Sequence, residues 1–380
     1  RKGYKNMALI VQKYGGTSVR DAERVMNVAR RITDAYKEGN NVVVAVSAQG
    51  DTTDDLIEKA KEINPNPSKR EMDMLLSTGE QISIALLAMA IEKLGYPVVS
   101  LTGWQAGVKT DTKHGMARIK TIDTERLMME LDNRKIVIVA GFQGISKYDN
   151  ITTLGRGGSD TSAVALAAAL HADLCEIYTD VDGVYTTDPR ICPSAYKLEE
   201  ISYDEMLELA SLGANVLHNR SVEMAKKYNV KMSVRSSLNN NEGTYVKEES
   251  QVEKMLVRGV TRDNDCARIA LCGVEDAPGK AFQVFEMIAK AGISVDLILQ
   301  SIGDGKTKDI SFTVAEGDLD ATLKLLEENN GMIKAREIKS ASDISKVSIV
   351  GAGMVNNSGV AAKMFEALSD AHINIKMIAT

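Results

Sequence analysis

Histidine, cysteine, tryptophan and proline are scarce in this chain, and each scarcity removes a class of function. Its 380 residues hold four histidines, four cysteines, one tryptophan and six prolines, with aromatics at 4%. The histidines are scattered, so a zinc site or a His-based triad has too few members. Cys175, Cys192, Cys266 and Cys272 form no CxxC pair and no disulfide framework, and read as small buried hydrophobes in a reducing compartment. Positive charge is not in excess. Lys plus Arg at 46 against Asp plus Glu at 52 give −6, which offers no broad field to nucleic acid or an anionic membrane. The longest apolar runs, Ile82–Ile91 and Ala163–Leu170, are far below the ~20 residues that span a bilayer. No basic, apolar, small-residue leader opens the chain, so a cytoplasmic setting is expected.

What is present is a folded, globular composition, 44% hydrophobic and 26% charged, long enough for two or three domains. Over the first two-thirds, short β-rich runs (Ala8–Val11, Asn41–Val46, Pro97–Leu101, Lys135–Ala140, Cys175–Tyr178) alternate with stretches of period near 3.6, such as Val25, Val28, Ala29, Ile32, Ala35 and Tyr36. Strands buried on both faces and separated by helices predict a mostly parallel sheet in an α/β sandwich. Pro65 and Pro67 mark a loop between two helices. The polar run Asn239–Gly243, with Lys247–Ser250 after it, reads as a domain edge.

Beyond it the chain repeats. Ile269–Ile298 and Val347–Ile378 share a strand, a glycine turn, a Phe-Glu helix and a second strand; Gly279 and Phe285 match Gly359 and Phe365 at an offset of 80. Gly273 matches Gly351 at an offset of 78, so the second copy has two extra turn residues. Tandem βαβ-type modules are expected. The first continues through Asp309–Val314 and Leu319–Leu326, whereas the second stops after its expected Ile373–Ile378 strand, short by about 35 residues. Arg1–Asn6, ahead of Met7, reads as an addition to the native chain.

Two glycine loops suggest phosphate handling. Lys13-Tyr14-Gly15-Gly16-Thr17-Ser18 follows the first strand and is expected to open the first long helix. Gly155-Arg156-Gly157-Gly158-Ser159-Asp160 precedes the small-residue helix expected at Thr161–Ala172. Adjacent glycines let backbone N–H groups face one point, and a helix N-terminus adds positive potential. No Walker loop accounts for this: Gly303-Asp304-Gly305-Lys306-Thr307 has Gln300 where that motif needs glycine and reads as a hairpin turn. The HRD and DFG signatures of protein kinases are missing. Thr179–Arg190 carries clustered carboxylates and Tyr185, but lacks the terminal Glu of an EF-hand. Ser47–Asp54 is a hydroxyl-rich strand-end loop that N-caps a helix, and Glu80 is expected at the start of an apolar helix.

In this order, Lys13–Ser18, Ser47–Asp54, Gly79-Glu80, Gly155–Asp160 and Thr179–Arg190 resemble the aspartokinases of the amino acid kinase family, over essentially the whole chain, and the tail repeat resembles their paired ACT modules. The resemblance implies a three-layer α/β/α kinase sandwich with a mostly parallel central sheet over 1–250, and ferredoxin-like βαββαβ ACT modules over 251–340 and 341–380, the second truncated. It implies phosphorylation of the β-carboxylate of L-aspartate by MgATP. Lys13 and Asp160 would be catalytic. Lys13, Gly15, Gly16, Ser47, Thr179, Asp180, Tyr185 and Arg190 would hold ATP, with Mg²⁺ bound mainly by phosphate oxygens rather than by a protein metal site. Arg156 would pair with the substrate α-carboxylate, Glu80 with its ammonium, and Thr53 and Ser159 would contact it. Lysine, threonine or both would act as effectors at Asp276, Gly279, Ala281, Gln300, Asn374 and Ile375, near the turns Asp276–Ala281 and Met354–Gly359. A homodimer or dimer of dimers through the ACT modules is expected. His218-Asn219 departs from the family's His-Pro and should alter a helix start. Two alternatives stand beside this reading: a sister kinase for acetylglutamate, glutamate or a nucleotide, and a catalytically inactive amino-acid sensor.

Overall fold

The structure is a computed structural model that describes residues 7–214, 216–248, 257–301, 307–351 and 359–379. It divides into two compact units, Arg1–Lys254 and Met255–Thr380. In the first, the order is β1 (Leu9–Tyr14), α1 (Ala22–Lys37), β2 (Asn41–Val46), α2 (Thr52–Ile63), α3 (Lys69–Lys93), β3 (Val98–Leu101), β4 (Val108–Thr110), β5 (Ile119–Ile122), α4 (Glu125–Asp132) and β6 (Ile136–Ala140). It continues with β7 (Gln143–Ile145), β8 (Ile151–Thr153), α5 (Gly158–Ala169), β9 (Leu174–Thr179), β10 (Glu200–Ser202), α6 (Tyr203–Ser211), α7 (Asn219–Tyr228), β11 (Met232–Ser236) and β12 (Thr244–Lys247).

The central sheet runs β10-β12-β11-β9-β1-β2-β6-β3, and every neighbouring pair is parallel except β11–β12. Unbroken apolar strands such as Val42–Val46 and Ile136–Ala140 are buried throughout, as strands covered on both faces must be. On one face α1 and α3 pack Val28, Ile32, Leu87 and Ile91 against Tyr14, Val44 and Ile138; α5 lies against β1, β2 and β9 and also packs on α7. A smaller sheet, β5-β4-β7-β8, stands beside them. At 25 residues α3 is long and apolar enough to cross a membrane by length and composition, because it extends well beyond the apolar run Ile82–Ile91. Here half of that stretch is buried in the protein, together with Asp73 and Glu80.

Several expected boundaries move. The Gly15–Gly16 loop does not open the long helix; it leads into a single 3-10 turn, Gly16–Ser18, and α1 starts later under its own cap, Asp21 accepting from the Arg24 N–H. Glu80 lies in the middle of α3 rather than at its start, because Ser68 caps the helix twelve residues earlier, ahead of Lys69. α5 begins at Gly158, so Ser159 and Asp160 belong to its first turn. The Ser47–Asp54 loop supplies no side-chain cap to α2; instead the Thr52 hydroxyl donates to the Gln49 carbonyl at 2.6 Å. Asn239–Gly243 is the turn between β11 and β12, two antiparallel strands of the central sheet, and not a domain edge. Of the cysteines, Cys175 and Cys266 are buried while Cys192 and Cys272 are half-buried.

The second unit comprises β13 (Gly259–Asp263), β14 (Ala267–Glu275), α8 (Lys280–Lys290), β15 (Ile298–Gln300), β16 (Thr307–Val314), α9 (Leu319–Glu328), α10 (Asn330–Ile333), β17 (Glu337–Ala341), β18 (Lys346–Val350) and α11 (Val360–Asp370). The antiparallel sheet β15-β16-β14-β17 with α8 and α9 is a βαββαβ unit in ferredoxin-like order. Its core holds Ile269, Leu271, Val284, Ile288, Phe312 and Leu326. The second strand of the first copy starts only at Ile298, as β15, and Ile373–Ile378 does not form the strand expected of it. The expected hairpin turn at Gly303–Lys306, most of the Met354–Gly359 turn and Arg1–Asn6 lie outside the described residues. The repeat is also not a simple tandem, since β13, before the first copy, pairs antiparallel with β18 of the second.

A buried polar hub ties the central strands together. The Glu176 carboxylate accepts from Gln12 Nε2 (2.8 Å), the Tyr178 hydroxyl (3.1 Å) and Arg235 (2.9 Å), joining β1, β9 and β11. Removing it strands three polar groups, two of them buried. Glu176→Ala should destabilise the first unit by roughly 3 kcal/mol and lower its thermal midpoint by roughly 6 °C. An unchanged calorimetric midpoint would contradict the hub's role.

Candidate functional site

Parallel register builds the site. Tyr14 pairs with Val46 and Tyr178, and Val46 with Ala140, so the strands β9, β1, β2 and β6 end side by side. The next residues, Thr179, Gly15, Ser47 and Gly141, therefore leave one rim. The carboxyl ends of such strands are where ligands of open α/β sheets bind.

Lys13, one residue before the end of β1, faces α5. Its Nζ lies 2.7 Å from Asp160 Oδ1, and each side chain is 13% exposed, so the pair is shielded yet reachable. Asp160 stands in the first turn of α5, whose N-cap Gly157 (φ +67°) supplies no side chain. The helix end is thus left to polarise the rim. Gly16 closes the first loop onto the second rim loop: a Cβ there would lie 2.6 Å from the Ala48 carbonyl oxygen, and its own carbonyl accepts from the Gly50 N–H at 3.1 Å. Ser159 is buried against Gly141, where a Cβ would come 2.9 Å from its Oγ.

Arg156 projects from the second glycine loop, exposed and with no ion pair among the described residues. The loop itself is braced from below. A Cβ on Gly157 would sit 2.2 Å from the His218 ring, and Arg220 donates to the carbonyls of Leu154 (2.9 Å) and Ala117 (2.8 Å). His218 is the N-cap of α7, its Nδ1 accepting from the Arg220 N–H, so the His-Asn departure does fall on a helix start. Sequence reasoning passed over Arg220 and Asp73; for Asp73 the available signal was an acid seven residues before Glu80 on one apolar helix, hence on the same face.

Glu80 is 3% exposed. One carboxylate oxygen accepts from the Ala48 N–H at 3.1 Å, and the other has no hydrogen bond among the described residues. Burial pushes its pKa up to about 7, against the pull of the Ala48 N–H. The neighbouring Gly79 packs on Ala48 and Thr52, which sets the start of α2, with half-buried Thr53, next to Glu80.

After Thr179 the chain folds on itself. The Thr179 hydroxyl donates to Asp180 (3.0 Å), the Tyr185 hydroxyl to Asp182 (2.8 Å), and Arg190 grips Asp188 with two nitrogens. The Asp182 contact raises the Tyr185 pKa. Asp182 itself titrates low: its burial, which acts the other way, is outweighed by hydrogen bonds from Tyr185 and Asn241 and by the Lys197 cation. The rim therefore gathers Lys13, Gly15, Gly16, Ser47, Ser159, Asp160 and Thr179, with Glu80 attached through Ala48, while Tyr185 and Arg190 are engaged within their own segment. A cavity of about 620 Å³ on the α1 side of the sheet, bordered by Arg31, Glu176, Tyr178 and Arg235, contains none of these residues.

In the second unit, Asp276 pairs with Lys308 at 2.8 Å, Gly279 (φ +89°) caps α8 and Ala281 lies in its first turn. Gln300 ends β15, and Asn374 and Ile375 are exposed beyond α11 without strand partners.

The amino acid kinase family model matches residues 8–236, and the ACT domain model matches 269–329 and 347–380. The chain is 53% identical to an aspartokinase of Bacillus sp. (strain MGA3) over 375 residues, covering 98% of this chain and 91% of that protein. The structure of E. coli aspartokinase III in complex with aspartate and ADP matches with a TM-score of 0.82 at 26% identity, over 98% of this chain and 93% of that one. The same enzyme in complex with lysine and aspartate matches with a TM-score of 0.75 at 26% identity, over 98% and 93%. Fold, rim and sequence thus agree, and the chain belongs to the amino acid kinase family, among the aspartokinases that carry ACT domains.

Proposed function

We propose that this aspartate kinase transfers the γ-phosphoryl group of MgATP to the β-carboxylate of L-aspartate, giving 4-phospho-L-aspartate and ADP. This would be the first step toward lysine, threonine and methionine. The observation that carries the reading is the shielded Lys13–Asp160 pair between a glycine loop and an uncapped helix N-terminus. A related enzyme solved with aspartate and ADP supports it.

The chemistry asks for little else. An oxygen of the substrate carboxylate attacks phosphorus as the bond to the ADP oxygen breaks, and no proton has to move because that carboxylate is already ionised at neutral pH. The protein's part is to position the reactants and neutralise charge. Lys13 does so at the transferring group, with Gly15 and Gly16 offering backbone donors and Asp160 holding the ammonium until the nucleotide arrives. Ser47, Thr179, Asp180, Tyr185 and Arg190 line the nucleotide side. Magnesium would enter as MgATP, held mainly by phosphate oxygens. Arg156, whose guanidinium has no ion pair among the described residues, takes the α-carboxylate; Glu80, with one oxygen unbonded among them, takes the ammonium; Thr53 and Ser159 complete the pocket. An acetylated substrate has no ammonium for Glu80, which counts against an acetylglutamate kinase.

Lysine, threonine or both would inhibit through Asp276, Gly279, Ala281, Gln300, Asn374 and Ile375 in paired ACT modules, which would also build a homodimer or dimer of dimers in the cytoplasm. The lysine complex of the E. coli enzyme supports the lysine arm. Effectors of this kind act by favouring one of two arrangements.

ADP release measured with L-aspartate and with N-acetylglutamate, each repeated with lysine, threonine and both, tests the whole reading. Turnover should need aspartate and fall with at least one effector addition. Turnover only with N-acetylglutamate would overturn the substrate, and unaltered rates in every mixture the regulation. Lys13→Ala should lower kcat by roughly 10²–10³-fold with an unchanged circular dichroism spectrum; near-normal kcat would remove Lys13 from the reaction. Glu80 predicts the pH profile. Its folded pKa is raised, so the charged form that can pair an ammonium dominates only above about 7. KM for aspartate should therefore fall about tenfold between about pH 6 and about pH 8, and Glu80→Gln should raise KM and flatten the profile. A profile unchanged by Glu80→Gln would place the ammonium elsewhere.

A further inference from the structure

Two buried carboxylates lie seven residues apart on α3, and the fold treats them oppositely. Glu80 keeps one oxygen without a hydrogen bond among the described residues. Asp73, completely buried, is saturated. The His114 Nδ1–H donates to Oδ2 at 2.7 Å, the Gly115 N–H reaches both oxygens at 3.0 and 3.1 Å, and the Thr153 hydroxyl donates to Oδ1 at 2.5 Å. All three donors belong to the small sheet beside the rim: His114 and Gly115 lie between β4 and β5, and Thr153 ends β8.

These donors are the base of the second glycine loop. The Ala117 N–H donates to the Thr153 carbonyl at 2.9 Å, so the two segments run side by side. The Gly115 carbonyl presses on Gly155, standing 3.0 Å from where a Cβ would be, and Gly155 has φ +78°. Arg156 follows directly. On the far side of Arg156 the loop is held independently, by Ser159 on Gly141 and by the Lys13–Asp160 pair. Arg220 clamps Leu154 and Ala117 from α7; Asp73 is what ties this base of the Arg156 loop to α3. Glu80 rides on the same helix, about 10 Å farther along its axis.

We propose that Asp73 is a positioning residue that sets the spacing between Glu80 and Arg156, and so the fit of a substrate held by both. The proposal rests on the reading of Glu80 and Arg156 as the substrate's two anchors. A helix is a stiff spacer, and a carboxylate that collects four hydrogen bonds from two segments leaves them one arrangement. An amide at position 73 has only one acceptor oxygen and adds two donors facing donors. The loop base must then shift, and a misplacement near 1 Å is enough to cost binding of a two-point ligand.

The test is steady-state kinetics on the full chain. Asp73→Asn should raise KM for aspartate about tenfold or more while kcat and KM for ATP stay within about threefold. Introduced beside Arg156→Ala, it should raise KM by less than about twofold further, because it acts through Arg156. Thr153→Val, which removes one donor, should give a smaller rise with the same dependence on Arg156, and it serves if Asp73→Asn does not fold. An unchanged aspartate KM, an equal rise in KM for ATP, or full additivity with Arg156→Ala overturns the proposal. Should Arg156→Ala alone leave aspartate KM unchanged, the anchor reading falls and the positioning role with it. A rise with Arg156→Ala but none with Asp73→Asn or Thr153→Val removes the positioning role alone.

Discussion

Four adjacent strands pointing the same way, β9, β1, β2 and β6, are the constraint on which the rest of this site depends. Parallel pairing requires each strand to return through a crossover, so their carboxyl ends all open on one edge and all four exits are loops. Because Tyr14, Val46, Ala140 and Tyr178 share one row, those loops start level with one another. A register slip of one residue in β1 would turn Lys13 from the α5 face to the α1 face and break its pair with Asp160. The Glu176 hub, which joins β1, β9 and β11 on the α1 side, resists such a slip. The Lys13–Asp160 geometry on one face is thus secured by polar bonding on the other.

The contrast between Asp73 and Glu80 shows how a fold can leave one buried carboxylate satisfied and another incompletely satisfied on one helix. Both are withdrawn from water, a cost that must be met by partners. Asp73 meets it within the protein, with four hydrogen bonds. Glu80 meets it only in part, through one N–H, and its raised pKa expresses the remainder. A ligand ammonium is the kind of partner that would complete it. On the proposed reading the same logic would hold at Lys13: its partner Asp160 is an internal anion that an incoming phosphate would outcompete, since both carry negative charge and phosphate brings more of it.

Much of this was legible from the chain alone. The strands Asn41–Val46 and Lys135–Ala140 announce themselves as unbroken apolar runs, and the glycine pairs at 15–16 and 157–158 mark the tight loops the rim requires. Legibility failed where local signals were outvoted by distant ones. Glu80 looked like a helix start because an acid suits the first turn, but Ser68 and the run from Lys69 carry the helix back past Asp73. Asn239–Gly243 looked like a linker because it is polar; it is a turn whose following strand, β12, is claimed by β10 and β11. His218 and Arg220 brace the Gly155–Asp160 loop from some 60 residues downstream, and no spacing rule connects them.

The second unit carries the same lesson into topology. Repeat matching suggests two modules in tandem, yet β13 and β18 pair over five residues, from Gly259 with Val350 to Asp263 with Lys346. The complete βαββαβ module, 267–341, is therefore held at both ends by one antiparallel ladder. Lys346 strengthens the junction by pairing with Asp263 and also with Asp296, which precedes β15 inside the module. An element tied at both ends cannot change shape without loading the tie. A small ligand that repacks the turn around Asp276 and Gly279 would strain the ladder at Asp263 and Lys346, and through β18 the start of the second copy. Interleaving thus links the two copies through one ladder, where a true tandem would leave each by itself.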